Sequence, residues 1–150
     1  MAVTAKKYSH ANYNAYRGLI NDINAPATEI KVALMAETYV PDQNTHENWD
    51  QIKLNEIDPA SNAPYVAGGL AIANKLFQVI GNTAVLSGDN VAWANASIAA
   101  RYAVIYDATP ATDIEKKLIG YIDFDEVKAT SAGTFEIHWA ANGIMVVEAY

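Results

Sequence analysis

Apolar and polar residues alternate most plainly in TEIKVALMA, residues 28–36. Ile30, Val32 and Leu34 fall on one side of an extended chain, and Glu29 and Lys31 fall on the other. Successive strand side chains point to opposite faces, so this spacing predicts a strand with one buried face. GTFEIHW repeats the pattern, with Phe135, Ile137 and Trp139 alternating with Glu136 and His138. LFQVI, TAVL, VAW, LIGYIDF and GIMVVEAY add further short apolar runs. Turn chemistry separates them. Gly81-Asn82 and Ser87-Gly88-Asp89-Asn90 read as hairpin connections, because Gly and Asn tolerate positive φ. Ser131-Ala132-Gly133 and Ala141-Asn142-Gly143 mark two more turns. RYAVIY, residues 101–106, scarcely alternates, which predicts a central strand covered on both sides. The Ala-rich ANASIAAR before it has helical propensity, but Val104, Ile105 and two tyrosines favour strand.

Short runs at roughly ten-residue spacing, without alternating long helices, predict an all-β fold. The expected architecture is an antiparallel β-sandwich or barrel of jelly-roll or immunoglobulin-like kind, one domain over residues 1–150. Two segments stand apart from it. Residues 1–27 form either an extended arm or a short helix, with Tyr8, Ala11, Ala15 and Leu19 near helical spacing and Gly18 and Asn21 as stop signals. Residues 40–64 are polar and punctuated by Pro41, Pro59 and Pro64. There Asn44 or Thr45 is placed to cap a short helix that turns Trp49 inward, making this a folded excursion.

Composition narrows the function classes. The chain has 150 residues, 51% of them hydrophobic and 18% charged, enough apolar surface to offset chain entropy. It has no cysteine, which removes disulfides, thiolate metal sites and cysteine nucleophiles. The net charge of −7 argues against nucleic-acid binding, and the basic residues are too scattered for a groove. Charge is unevenly placed. Residues 1–27 carry Lys6, Lys7 and Arg17 against Asp22, a surplus of +2, and the remainder carries 7 basic and 16 acidic residues. Lys6, Lys7, Tyr8, Tyr13, Tyr16 and Arg17 are therefore the candidate interface, a basic and aromatic leader suited to an acidic neighbour. MAVTAKKYSH leads into no apolar run, so no secretion signal is expected, and no stretch reaches the roughly 18 apolar residues of a membrane span.

Candidate chemistry is sparse. His10, His46 and His138 each lack a second histidine at ligand spacing, so no metal site is expected. Asp123 and Asp125 project together from an extended chain, but the run Asp123-Phe124-Asp125-Glu126 reads as a strand end turning into solvent. Ser87-Gly88-Asp89 lacks a nucleophile-elbow context, and Gly68-Gly69 lacks the phosphate-loop pattern, leaving a bulge or close backbone approach. Trp49, Trp93, Trp139 and the nine tyrosines offer material for a sugar platform, although Trp93 and Trp139 lie in strand patterns that favour burial. No enzyme activity and no cofactor are expected.

The ordered set MAVTAK, EIKVALM, YVPDQNTHENWDQI, YVAGG, ARYAVIYDATPATD, LIGYIDF and GTFEIHWAANGI resembles a family of small structural proteins of tailed bacteriophage virions. The resemblance spans nearly the whole chain. It departs from the family pattern before the Gly pair, where ASNAPYVAGG replaces a Gly/Thr-rich turn. It implies an all-β accessory subunit located in the virion and made in the host bacterial cytoplasm. The implied role is capsid decoration (cement), with the major capsid protein or another virion subunit as partner, and self-association as a trimer or dimer. The alternative is a fibre, collar or tail-tip module for host or carbohydrate recognition, with Tyr39 and Trp49 as exposed loop aromatics facing a glycan. No catalytic residues carry over, and neither nucleic acid nor membrane is an expected partner.

Overall fold

The computed structural model describes residues 3–141 and 143–148. Ten strands and one helix follow in the order β1 (Thr4–Lys7), α1 (Ser9–Tyr16), β2 (Ile30–Met35), β3 (Leu70–Ala71), β4 (Leu76–Ile80), β5 (Thr83–Ser87), β6 (Val91–Ala96), β7 (Ala99–Asp107), β8 (Leu118–Ala129), β9 (Gly133–Ile137) and β10 (Met145–Glu148). The fold is all-β and sandwich-like, as the strand pattern predicts. One layer is a five-stranded sheet in the order β1-β8-β7-β2-β3. The other is divided into a three-stranded sheet, β10-β5-β4, and a two-stranded sheet, β6-β9. Every ladder between named strands is antiparallel.

The large sheet is buried on both faces. Between the layers, Ile30, Val32 and Leu34 of β2 and Ala103 and Ile105 of β7 meet Leu86, Trp93, Phe135 and Ile137 of the divided layer. On the opposite face, Ala33 and Met35 of β2 and Tyr102, Val104 and Tyr106 of β7 pack under Tyr8, Tyr39, Trp49 and Ile52. Each buried Val, Leu, Ile, Phe or Met among them contributes about 1.5–3 kcal/mol by leaving water, and each Ala less. This explains RYAVIY, since a strand with two apolar environments has no polar face to alternate with. It also corrects the reading of β2 as one-faced. Lys31 is half-buried, and its neighbours on the same face, Ala33 and Met35, are fully buried.

The second core is covered by residues 40–64. These fold into three short 3-10 turns, Trp49–Gln51, Lys53–Asn55 and Pro59–Ser61, rather than one capped helix. Asn44 and Thr45 do not cap it. Their N–H groups both donate to Asp42 Oδ1, at 3.0 and 3.1 Å, closing an earlier turn. Gln51 Oε1 instead accepts from the N–H groups of Glu47 and Asn48 at the start of the first 3-10 turn. Trp49 does turn inward and stacks on Tyr106, ring centroids 4.4 Å apart and planes 5° from parallel.

Gly81-Asn82 makes the predicted β4–β5 hairpin, with Gly81 at φ +63°. The segment Ser87–Asn90 does not make a hairpin, because β5 pairs with β4 and β10 whereas β6 pairs with β9. Here the chain crosses between sheets. The acidic run at 123–126 also differs from its reading as a strand end. It lies inside β8, at a register shift opposite Ala100–Tyr102, with Asp125 at φ +70°. Gly69 is the close approach suggested by the Gly pair. At φ +82°, a Cβ placed there would lie 1.9 Å from the carbonyl oxygen of Val32.

Candidate docking face

Helix α1 follows β1 directly, and its ends are set by local chemistry. Gly18, at φ +72°, ends it through a Schellman arrangement. Its N–H donates to the carbonyl of Ala15 at 3.0 Å, and that of Leu19 donates to the carbonyl of Asn14 at 2.9 Å. Eight residues are too few for an isolated helix to persist in water, so tertiary contacts hold it. Tyr8, Ala11 and Asn14 supply the inner face and are all buried.

The loop over the second core clamps the β1–α1 junction. The N–H of Ser9 donates to the carbonyl of Gln43 at 2.9 Å, and Ser9 Oγ donates to Asn44 Oδ1 at 2.8 Å. Gln43 Nε2 donates to the carbonyl of Lys7 at 2.7 Å. Beneath these bonds the hydroxyls of Tyr8 and Tyr39 lie 2.7 Å apart, and Tyr39 Oη lies 3.1 Å from His46 Nδ1. Burial pushes both phenols upward in pKa, Tyr39 to about 12. These hydroxyls remain neutral and serve as hydrogen-bonding pegs.

Of the six candidate interface residues, the structure removes one from the surface. Tyr8 is 2% exposed and belongs to the core. Tyr13 and Tyr16 are 56% and 89% exposed. The Arg17 guanidinium sits 5.1 Å above the Tyr13 ring, and the His10 ring lies against its other neighbourhood at 6.4 Å, edge to face. Positions 10, 13 and 17 share a helix face, so the side chains form one strip. Lys6 is exposed and Lys7 is half-buried on the adjacent strand. The strip joins flat aromatic area to a planar cation, which suits docking on acidic and aromatic surface.

The other candidates are structural. Tyr39 and Trp49 are 1% and 5% exposed, so the expectation that they face a glycan is withdrawn. Trp93 is buried, and Trp139 is partly buried with its Nε1–H donating to the carbonyl of Asp89 at 2.8 Å. Asp123 and Asp125 do not form an acid/base pair. Arg101 Nε donates to Asp123 Oδ1 at 2.9 Å, and the N–H of Asp125 donates to the same oxygen at 2.7 Å. The Arg101 contact holds the Asp123 carboxyl below its usual range. β9 ends at Ile137, short of the predicted strand through Trp139, so His138 lies just beyond it, exposed and paired with Glu136. Among the described residues, no three His, Asp or Glu side chains gather to hold a metal. No helix among them is long and apolar enough to cross a membrane.

Sequence reasoning missed Glu56. Its carboxylate accepts from Tyr65 Oη and from the N–H of Gly68, each at 2.5 Å, and the N–H of Leu34 donates to the same Tyr65 oxygen at 3.0 Å. Desolvation raises its pKa despite these donors. Glu56 sits in the most polar stretch of the chain, where an acid carries no signal of burial. No family model, curated protein or solved structure matches the chain.

Proposed function

We propose that this protein is a structural subunit of a tailed bacteriophage particle that attaches to its shell through the exposed strip of α1. The observation that carries this reading is the arrangement of Tyr13, Tyr16 and Arg17 on a clamped helix. Tyrosine and arginine are enriched at interface hot spots, and these three are held outward before any partner arrives. The strip also lies in a leading segment with a surplus of +2, on a chain of net charge −7. A subunit that binds only the assembled shell stabilises that shell by mass action, without chemistry of its own. The ordered sequence resemblance to virion accessory proteins supplies the choice of partner.

The test is co-sedimentation of the full chain with purified particles. Tyr16→Ala and Arg17→Ala should each weaken binding by about tenfold or more, with the fold intact, since truncating a hot-spot residue costs on the order of 2 kcal/mol. Unchanged co-sedimentation of the double variant would overturn the assignment of this face. Absence of wild-type binding to any particle would overturn the function.

A further inference from the structure

The loop that clamps α1 contains a turn whose closure depends on one imidazole nitrogen. Across residues 42–46 the N–H of His46 donates to the carbonyl of Asp42 at 3.0 Å, and the N–H of Asp42 donates to His46 Nδ1 at 3.1 Å. A backbone N–H can only donate, so Nδ1 carries a lone pair and the neutral ring keeps its hydrogen on Nε2. That assignment orders the hydroxyls beneath it. Tyr39 Oη, 3.1 Å from the same nitrogen, donates to it, and Tyr8 Oη donates in turn to Tyr39 Oη at 2.7 Å. The residues inside the turn are those that hold the β1–α1 junction. The Gln43 carbonyl accepts from the Ser9 N–H, Gln43 Nε2 donates to the carbonyl of Lys7, and Asn44 Oδ1 accepts from Ser9 Oγ.

We propose that His46 is a proton-sensitive latch on α1: a proton on Nδ1 opens the 42–46 turn and releases the β1–α1 junction. An imidazolium carries hydrogen on both nitrogens and accepts nothing. The hydroxyls of Tyr39 and Tyr8 can rotate to receive an Nδ1–H, but the Asp42 N–H cannot, and two facing donors must separate. The groups around the ring do not restore the contact. The Tyr39 ring stacks on His46 with centroids 5.6 Å apart, and beyond it lie the phenols of Tyr8, Tyr102 and Tyr121. On the loop itself, the Glu47 carboxylate lies 3.6 Å from Lys117 Nζ. The Asp42 carboxylate attracts an imidazolium, but its Oδ1 accepts from the N–H groups of Asn44 and Thr45 within the turn. Moving the ring to that carboxylate takes Nδ1 away from the Asp42 N–H, so this attraction opens the turn as well. The latch acts on the folded chain alone, whether or not α1 docks on a shell.

The test is NMR of the 15N-labelled full chain between about pH 7.5 and about pH 5, the range in which imidazoles change charge. At the upper limit a long-range 1H–15N spectrum should show His46 as the Nε2–H tautomer. On acidification the Ser9 and Asn44 amides should shift along the His46 titration curve. Protection of the Ser9 amide from hydrogen exchange, taken relative to an unstructured peptide at each pH, should fall about tenfold, with Val104 of β7 unchanged. Asp42 stays ionised across this range, because the Thr45 side chain and the N–H groups of Asn44 and Thr45 hold its carboxyl below the ordinary value. His46→Asn puts an amide oxygen where Nδ1 stood, an acceptor that does not titrate, and should keep Ser9 protected at both limits. His10 is the competing titratable group on α1 itself, and His10→Gln should leave the response in place. An Nδ1–H tautomer at pH 7.5, equal Ser9 protection at both limits, or a loss in His46→Asn equal to that of wild type would each overturn the latch. So would a response that disappears in His10→Gln. The first two outcomes are read on wild type, so they decide the matter even where a variant fails to fold, and none involves particle binding.

Discussion

Glu56 ties three parts of the molecule together through one carboxylate. Tyr65 Oη and the Gly68 N–H both donate to it, and Tyr106 Oη donates to the carbonyl of Gly68 at 2.8 Å. The contacts join the loop over the second core, the Gly68-Gly69 approach to β2, and β7. Their cost is the desolvation of a charge, which raises the folded-state pKa above the ordinary 4.5. A carboxyl with a raised folded pKa stabilises the fold fully below its unfolded pKa and loses that contribution as pH rises through the folded value. The stability of wild type relative to Glu56→Gln should therefore increase on acidification from about pH 7 to about pH 5, a window still above the unfolded carboxyl pKa. Urea midpoints of both proteins at the two pH values check this. A relative stability that falls on acidification would contradict the sign. Asp42, Asp113 and Asp123, whose pKa values are lowered by their donors, act in the opposite sense but lose their contribution at more acidic pH.

Among the elements, α1 depends most visibly on one backbone position. Gly18 has no heavy atom within 4 Å of where a Cβ would stand, so replacing it tests conformation alone. Its φ of +72° costs an L-residue roughly 1–2 kcal/mol. Gly18→Ala should lower stability by about that amount in urea unfolding, and increase amide exchange at the C-terminal end of α1. Equal stability would mean that the Schellman turn is not rigid. The stop signal at Gly18 was readable because it is local. The same holds for the Gly81-Asn82 hairpin, for β2 and β9 by alternation, and for the central place of β7. What failed was partnership. Ser87–Asn90 has hairpin composition, yet the chain there leaves one sheet for another, and turn residues report a reversal without naming the strand that follows. The exposure of aromatics was misjudged for the same reason. Tyr39 and Trp49 sit in polar sequence, and only the second core on the far face of β2 and β7 gives them somewhere to go. The exposure of the α1 strip was partly legible. Tyr13, Tyr16 and Arg17 emerge on the outer side of α1, but Tyr8 carries the same residue type and turns inward, because it precedes the helix and faces Tyr39 and Tyr121.

At the scale of the whole molecule, the charge distribution sets how the proposed attachment would respond to salt. The first 27 residues hold a surplus of +2 and the rest carries a deficit of 9 charges. A partner docking on α1 would therefore meet a segment of positive surplus on a chain of net negative charge. If that partner is acidic, as complementarity requires, its attraction to Arg17 and Lys6 competes with repulsion from the remainder, and both are screened by salt. The two effects have different reach. The contact attraction acts within a few ångströms, where partial desolvation shields it from ions, whereas repulsion from the body acts over distances comparable to the Debye length, about 10 Å at 0.1 M. Raising salt from low to moderate ionic strength should thus leave particle binding by wild type little changed or slightly stronger. Arg17→Ala, which keeps the repulsion and loses the main cation of the strip, should bind more weakly and gain more from added salt. Co-sedimentation titrations at about 0.02 M and about 0.2 M salt measure both trends. A steep loss of wild-type binding across that range would instead mean that long-range attraction by the basic segment dominates, with the tyrosines contributing little. The exposed rings of Tyr13 and Tyr16 argue against that outcome, since apolar contact at the centre of an interface is insensitive to moderate salt.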